Sequence, residues 1–120
     1  MKTINLLLEQ LIATPNSIEF NDVISTIENY YKYTPSSFSN GADEDCVTNS
    51  AGENEGSCKI FAFAKLHHLD EEKTLFCFGH YYRDDVLSHP NNTDHANIRQ
   101  FMKHGWSHLV FNNTPLEFKN

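Results

Sequence analysis

Three side chains that could bind a metal ion are spaced along one predicted helix. Cys77, His80 and Asp84 occupy positions i, i+3 and i+7, which places them on one face of a helix. Thiolate, imidazole and carboxylate groups bind Zn²⁺ or Fe²⁺, and His95 could supply a fourth ligand. The ordinary alternative is a cysteine buried as a small apolar side chain and an aspartate paired with a nearby cation. We favour that alternative, because none of the specific zinc-binding spacings is present, and we predict no cofactor.

Residues 56–59 have the composition of an anion-binding helix N-terminus. Ser57, Cys58 and Lys59 follow a glycine where a loop enters a helix, so free N–H groups and a lysine would lie together. Arg83 and Arg99 could complete such a site. The alternative is that Ser57 only caps the helix and that Lys59 is solvated. The P-loop sequence is absent, so a small anion stays one ligand class among others.

Cys58 is also a candidate nucleophile. A thiol at a helix N-terminus has a lowered pKa, and a neighbouring histidine would make it a dyad. The chain has seven histidines, so such a pairing is easy to imagine and the signal is weak. The motifs GxSxG, HExxH and CxxC do not occur. We therefore leave a small metal- or thiol-dependent enzyme as an alternative and lean against catalysis.

Asp94, His95 and Arg99 open another predicted helix. Asp94 is favoured there by the helix dipole, and Asp94 or His95 could contact Arg99 about one turn later. We expect a local structural network. The sharper alternative is a polar recognition surface built from His95, Arg99 and Arg83.

The remaining histidines carry less information. His67 and His68 are adjacent and point about 100° apart on a helix, so they cannot chelate one ion together. We expect both at the surface. His104 and His108 resemble half of a metal motif, but Gly105 between them is expected to end the helix.

Composition narrows the class of protein. The chain has 120 residues with a net charge of −7, so we predict one domain that binds neither nucleic acid nor an anionic membrane. No apolar stretch approaches the roughly 20 residues of a membrane helix. Three cysteines, an odd number, argue against a disulfide framework and favour a reduced, cytoplasmic protein. Nine Phe and five Tyr predict a core rich in aromatic rings, and Tyr81, Tyr82, Phe101 and Trp106 belong to it rather than to a ligand cage.

Apolar periodicity predicts a mainly helical α+β domain over residues 1–120 with about five helices. The predicted helices are residues 3–13, a second from an Asn21 cap to about Lys32, a central one from Cys58 to about Leu69, one from an Asp70 cap towards Ser88, and one from Asn92 or Thr93 to Gly105. Residues 39–56 are predicted to be an acidic loop with the composition of a mobile segment. Residues 109–111 and 116–118 predict a small C-terminal β-hairpin.

Several segments in combination resemble the HopJ type III effector family. The matching segments are AGENEGSCKIFAFAKL, TLFCFGHYYRDDVL and DHANIRQFM, together with Thr14-Pro15, Asn40-Gly41, Gly105-Trp106 and Pro115-Leu116. They span nearly the whole chain. The resemblance implies a small bacterial protein linked to type III secretion, and it implies no reaction, cofactor or catalytic residue.

Two features depart from the family pattern. The insert at residues 42–48 is longer and more acidic than usual, so we expect that loop to be peripheral. His108 stands where a glycine is expected after Trp106, which argues against a family-wide role for His108. The N-terminus enters an apolar helix directly, whereas exported effectors usually begin with a flexible, Ser-rich leader. The N-terminus therefore favours a cytoplasmic protein over a secreted one.

Three classes of function follow. The first is an interaction protein that binds a protein partner through an exposed polar and aromatic face. The second is the small enzyme or metal protein, and the third is the small-anion binder. The candidate polar cluster behind all three is Ser57, Cys58, Lys59, His80, Arg83, Asp84, His95 and Arg99. The sequence specifies neither a substrate nor an oligomeric state.

Overall fold

The computed structural model describes residues 3–119 and confirms the mainly helical α+β class. The helical elements in this range are α1 (Ile4–Ala13), α2 (Phe20–Tyr30), α3 (Glu55–Leu66), α4 (Glu71–Phe76), a π-helical turn (Tyr81–Val86) and α5 (Ala96–His104). The strands are β1 (Tyr31–Tyr33), β2 (Phe38–Asn40), β3 (Val47–Asn49), β4 (Leu109–Phe111) and β5 (Leu116–Phe118). Within residues 3–119, every helix is too short or too polar to cross a bilayer.

The strands form two small antiparallel sheets. One has the order β3-β2-β4, and the other pairs β1 with β5. β4 and β5 lie at the residues predicted for a C-terminal hairpin, but they do not pair with each other. Leu109 and Leu116 are both buried, and each reaches the core beside a different earlier strand. The apolar pattern shows that a segment is a strand, whereas its partner depends on contacts distant in sequence.

The predicted acidic loop, residues 39–56, contains ordered structure that was not foreseen. β2 and β3 pair antiparallel, with Phe38 opposite Asn49 and Asn40 opposite Val47. The acidic turn between them is attached to α5, since Asp45 Oδ2 accepts hydrogen bonds from Lys103 Nζ at 2.6 Å and His104 Nε2 at 3.1 Å. These hydrogen bonds, first that of Lys103, lower the pKa of Asp45. Three-residue strands are too short for a periodic sequence signal.

α1 follows its prediction, and α2 starts and ends slightly earlier than predicted. Thr3 caps α1, with its hydroxyl accepting from the Leu6 N–H at 3.1 Å. α2 begins at Phe20 rather than after an Asn21 cap. It ends at Tyr30 because the next three residues pair with β5.

α3 is the central helix, as its apolar composition predicted. Five consecutive residues of this helix, 60–64, are buried. Phe61 lies at the middle of the aromatic core, with ring centroids of Phe78 and Phe101 at 5.3 and 4.9 Å. Buried residues from the helices and both sheets form one continuous cluster around it. The elements that pack against the two ends of α3 are therefore positioned by their contacts with this helix.

The predicted fourth helix is interrupted at Gly79. α4 ends at Phe76, Gly79 has φ +61°, and the π-helical turn follows. A Cβ at Gly79 would lie 2.6 Å from the backbone nitrogen of Phe20. The chain entering α2 passes so close that only glycine fits, and its positive φ breaks the helix.

α5 is shorter than predicted at its start. It begins at Ala96, after His95 at φ +53°, rather than at Asn92 or Thr93. Its end agrees with the prediction, since Gly105 follows His104. Gly105 has φ +67° and ψ −161°, so it ends the helix without the left-handed helical conformation that was expected.

Candidate functional site

The residues of the candidate cluster on α3 do not face one site. α3 begins at Glu55 with Asn54 at the N-cap position, so Ser57 lies inside the first turn and is not the cap. Lys59 Nζ pairs with Glu28 Oε2 at 3.3 Å and lies 4.8 Å from the centroid of the Tyr33 ring. Lys59 thus points towards α2 and β1 rather than towards the helix N-terminus.

The Cys58 thiol is buried rather than activated. Cys58 is 1% exposed, and its Sγ lies 3.9 Å from the carbonyl oxygen of Ser36. Burial raises the pKa of this thiol, which outweighs the lowering effects of Ser36 and Tyr33. A nucleophilic thiol needs the opposite shift. The structure therefore gives no support to thiol catalysis at Cys58.

We expect the three cysteines to differ sharply in reactivity at neutral pH. Cys46 is exposed and should react with an aromatic disulfide reagent as an ordinary thiol, whereas buried Cys58 and Cys77 should react roughly two or more orders of magnitude more slowly. Mass spectrometry of the labelled protein identifies the modified residue. Cys46→Ser should remove the fast phase, and rapid labelling of Cys58 in the native state would contradict its burial.

The proposed metal ligands are separated by the break at Gly79. Cys77 is fully buried, and burial raises its pKa to about 12. His80 and Asp84 are both exposed. Within residues 3–119, no group of three or more His, Cys, Asp or Glu side chains is placed to hold an ion. The spacing of Cys77, His80 and Asp84 would place them on one helix face only if the helix continued without a break.

Both arginines of the cluster bind the chain itself. Arg83 Nη1 donates to the carbonyl oxygen of Ile18 at 2.5 Å, and Arg83 Nη2 lies 3.8 Å from Glu19. Arg99 Nη2 pairs with Asp94 Oδ1 at 2.7 Å, and Arg99 Nε donates to the Asp94 carbonyl oxygen at 2.6 Å. The hydrogen bond from Arg99 is the main cause that lowers the pKa of Asp94. The local Asp94–Arg99 network expected from the sequence is thus present.

Two residues of the candidate cluster, Ser57 and His95, meet in one cleft between the N-terminal ends of α3 and α5. We call it the α3–α5 cleft, and its volume is about 450 Å³. Its walls are Phe20, Val47, Asn54, Gly56, Ser57, Phe78, Tyr81, His95, Ala96, Asn97 and Ile98. The cleft is large enough for a small molecule.

His95 is held by contacts on two sides. Its Nε2 lies 3.0 Å from Asp85 Oδ2, and because a carboxylate only accepts, Nε2 is the donor. Its ring centroid lies 5.3 Å from that of Tyr81, which in turn is 5.0 Å from that of Phe20. The left-handed backbone of His95 turns the chain into α5. The imidazole therefore has a defined orientation at the cleft wall.

Asparagine side chains join the starts of the two helices. Asn97 Nδ2 donates to Asn49 Oδ1 at 2.9 Å, and Asn54 Nδ2 donates to the same oxygen at 2.7 Å. Asn40 Nδ2 donates to the Asn97 carbonyl oxygen at 2.8 Å. β2 and β3 carry Asn40 and Asn49, so the three-stranded sheet fixes the spacing between the two cleft walls. Amide groups do this without adding charge.

The electrostatic character of the cleft differs from that of the whole protein. The chain contains 16 Asp and Glu residues, yet none of them is among the lining residues. The walls present instead the Ser57 hydroxyl, the Asn54 amide, whose Nδ2 donates to Asn49, and the His95 imidazole, whose Nε2 donates to the Asp85 carboxylate behind the wall. Backbone N–H groups in the first turns of α3 and α5 have no intrahelical acceptor. This arrangement can donate hydrogen bonds to an oxyanion.

Sequence reasoning missed Asn54 and Asn97 as site residues. Both occur at helix starts, where asparagine is common for capping, so nothing in their spacing marks them. The left-handed backbone of Asn54 and His95 also leaves little trace in the sequence. His67, expected at the surface, is only partly exposed, and its Nε2 lies 2.5 Å from the Tyr31 hydroxyl oxygen.

Comparisons with known proteins identify relatives of this chain. A model of the HopJ type III effector protein family matches residues 4–116. A crystal structure described as that of the unknown function protein VPA0580 is 47% identical in sequence, with a TM-score of 0.93. The match covers 99% of this chain and 95% of the other. Among curated proteins, no match was found.

Proposed function

This chain belongs to the HopJ type III effector protein family, and from that membership we propose that it binds a small oxyanion-bearing molecule in the α3–α5 cleft. The three longest segments that carry the family resemblance are residues 51–66, 74–87 and 94–102, which belong to different helical elements. They supply nine of the eleven residues that line the cleft, all except Phe20 and Val47. Their convergence on one cavity supports a binding role there.

The observation that carries the proposal is a carboxylate-free cavity in an acidic protein. A net charge of −7 repels anions over most of the surface. The donors that the cleft offers to a ligand are the Ser57 hydroxyl and the first backbone N–H groups of α3 and α5. The partial positive charge of two helix N-termini adds to them. An oxyanion is therefore favoured over a cation.

The apolar part of the lining indicates the rest of the ligand. Phe20, Phe78 and Tyr81 form an aromatic wall, and Ile98 adds to it. Rings with centroids about 5 Å apart, like those of Phe20 and Tyr81, leave flat faces or edges against which another ring can pack. We propose a ligand with a planar apolar part and a phosphate or carboxylate.

The test uses phenyl phosphate, benzoate and inorganic phosphate as probes in calorimetric titration. Wild-type protein should bind phenyl phosphate more tightly than inorganic phosphate, because only the former reaches the aromatic wall. Ser57→Glu should weaken phenyl phosphate binding by at least about tenfold, since it places a carboxylate in the cleft. A ligand at 100 times its Kd should also stabilise the wild type by roughly 2.7 kcal/mol.

Ser57→Gln is the matched control, because glutamine has nearly the size of glutamate without its charge. Glutamate in a first helical turn favours the helix, so Ser57→Glu should unfold no more easily than the wild type. Equal losses in both variants would contradict the electrostatic argument. A wild type that binds none of the three probes at millimolar concentration would contradict the proposal.

A second candidate function is binding of a protein partner, which the family description as an effector supports. Several large apolar side chains are exposed, including Leu66 at 47%, Val110 at 55% and Phe118 at 63%. These lie on or near α3, β4 and β5, away from the N-terminal end of α3. Large apolar side chains left exposed can contribute to an interaction surface.

We also propose a reducing compartment, such as the cytoplasm, as the place of action. Cys46, Cys58 and Cys77 are all free thiols. Cys58 and Cys77 are enclosed in the core, where they act as small apolar side chains. Free thiols of this kind are typical of proteins outside oxidising compartments.

A further inference from the structure

A second concave surface lies at the opposite end of α3 from the cleft. Two adjacent cavities of about 580 and 250 Å³ share Lys65 and His68, so they form one depression, the α3–β4 groove. One wall is the C-terminal part of α3 with Leu66 and Leu69. The other wall runs from Trp106 through β4 to the Asn112–Leu116 segment.

β4 is an edge strand, since its one partner in the sheet is β2. The Gly41 N–H donates to the His108 carbonyl oxygen, and the Asn112 N–H donates to the Ser37 carbonyl oxygen. In this antiparallel register, alternate residues exchange backbone hydrogen bonds across the pair, so the N–H and C=O groups of Val110 point to β2. The Phe111 N–H and C=O groups and the Leu109 C=O then point to the free edge, whereas the Leu109 N–H donates to the Trp106 carbonyl oxygen. They can pair with another extended chain.

The charge of the groove is the opposite of that of the protein. None of its lining residues is Asp or Glu, whereas Lys65 and His68 contribute to both cavities. Lys65 Nζ lies 5.8 Å from the centroid of the Phe111 ring and forms no ion pair with any residue in 3–119. Because Lys65 lies over an apolar wall and has no acidic partner among residues 3–119, it is suited to pair with an acidic side chain of another protein.

On these grounds we infer that the α3–β4 groove binds an extended segment of a partner protein that carries both apolar and acidic side chains on the face turned to the groove. Its backbone pairs with Leu109 and Phe111 at the free edge of β4. Its apolar side chains pack between Leu66 and Phe111, and its carboxylates reach Lys65. This inference deepens the second candidate function and is independent of ligand binding in the α3–α5 cleft.

Trp106 provides a direct test, because it is the one tryptophan of the chain and lines the groove. Short capped peptides that place Leu or Val and Glu at every second position, so that both lie on one face of the extended peptide, are titrated while Trp106 emission is followed. Matched peptides with Lys in place of Glu serve as the opposite-charge probe. We expect a saturable change in emission with the acidic peptides, and at least about tenfold weaker binding of the basic ones.

Lys65→Glu should reverse the preference between the two peptide sets. Lys32→Glu is the control, since Lys32 is exposed on β1 outside the groove and the change in net charge is the same. It should alter the affinity by less than about threefold, which is the scale of a screened, distant charge. Equal effects of both variants would show a non-specific charge effect and would overturn the inference.

Backbone pairing is tested by amide hydrogen exchange. The Phe111 amide should gain protection when the acidic peptide is bound. The Leu109 and Val110 amides should not change, because the Leu109 N–H already donates to Trp106 and the Val110 N–H points to β2. Binding without this protection overturns the edge-strand arrangement. Sedimentation of the protein alone is the last check, since a dimer that Lys65→Glu disrupts would assign the groove to a second copy instead. Retained binding of phenyl phosphate in Lys65→Glu shows that the cleft is intact.

Discussion

Phe61→Ala should lower the free energy of unfolding by about 3–5 kcal/mol, among the largest effects of any single substitution in this chain. Phe61 is 0% exposed, and its ring has the rings of Phe38, Phe78 and Phe101 as neighbours, at centroid distances of 6.2, 5.3 and 4.9 Å. Phe38 lies on β2, Phe78 lies in the turn that follows α4, and Phe101 lies on α5. Removing the central ring leaves a cavity, because these three elements cannot all shift inward to fill it.

Denaturant unfolding monitored by circular dichroism measures this loss. The matched control is Phe118→Ala, which removes the same atoms from a side chain that is 63% exposed and touches the Tyr31 ring at 5.3 Å. We expect the control to cost no more than about 1 kcal/mol. Similar costs for the two variants would mean that the aromatic core does not depend on Phe61.

Gly79→Ala is expected to cost about 2–4 kcal/mol, because two separate penalties add. The backbone at Gly79 has φ +61°, which an alanine adopts only with strain. The new Cβ would also lie 2.6 Å from the Phe20 backbone nitrogen, so α2 and the turn after α4 would have to move apart. Since Phe20 and Phe78 line the α3–α5 cleft, phenyl phosphate binding should weaken as well.

Gly52→Ala separates these two penalties. Gly52 also has a positive φ, +90°, but no atom lies within 4 Å of a Cβ built there. Backbone strain alone should therefore cost roughly 1 kcal/mol. Thermal and denaturant unfolding of the two variants compares them directly. A Gly79→Ala protein no less stable than Gly52→Ala would show that the close approach to Phe20 is not constrained.

Continuous apolar patterns were read correctly from the sequence. α1 has a regular repeat with a capping threonine and was predicted close to its observed bounds. α3, which is apolar on nearly every face, was recognised as the central helix but was placed about three residues too late at each end. The C-terminal strands were also found at their observed residues. In each case the information lies within a short stretch, where hydrophobic period and capping chemistry act locally.

Features that depend on two distant segments were not predictable. The break at Gly79 exists because the chain before α2 passes against it, 59 residues earlier in the sequence. The pairing of β2 with β4 depends on residues 109–111 folding back. The candidate metal face of Cys77, His80 and Asp84 failed for the same reason, since a glycine alone does not reveal whether a helix continues.

The sequence alone determined the class of this protein: an acidic, mainly helical chain with an aromatic core and the motifs of its family. The sequence also identified Ser57 and His95 as candidate site residues, because hydroxyl and imidazole groups can form hydrogen bonds with a ligand or transfer protons. Only the tertiary structure decided that these two residues face one cleft while Lys59, Arg83 and Arg99 bind their own chain. Residue types set what a side chain can do, but packing of distant segments sets which side chains meet.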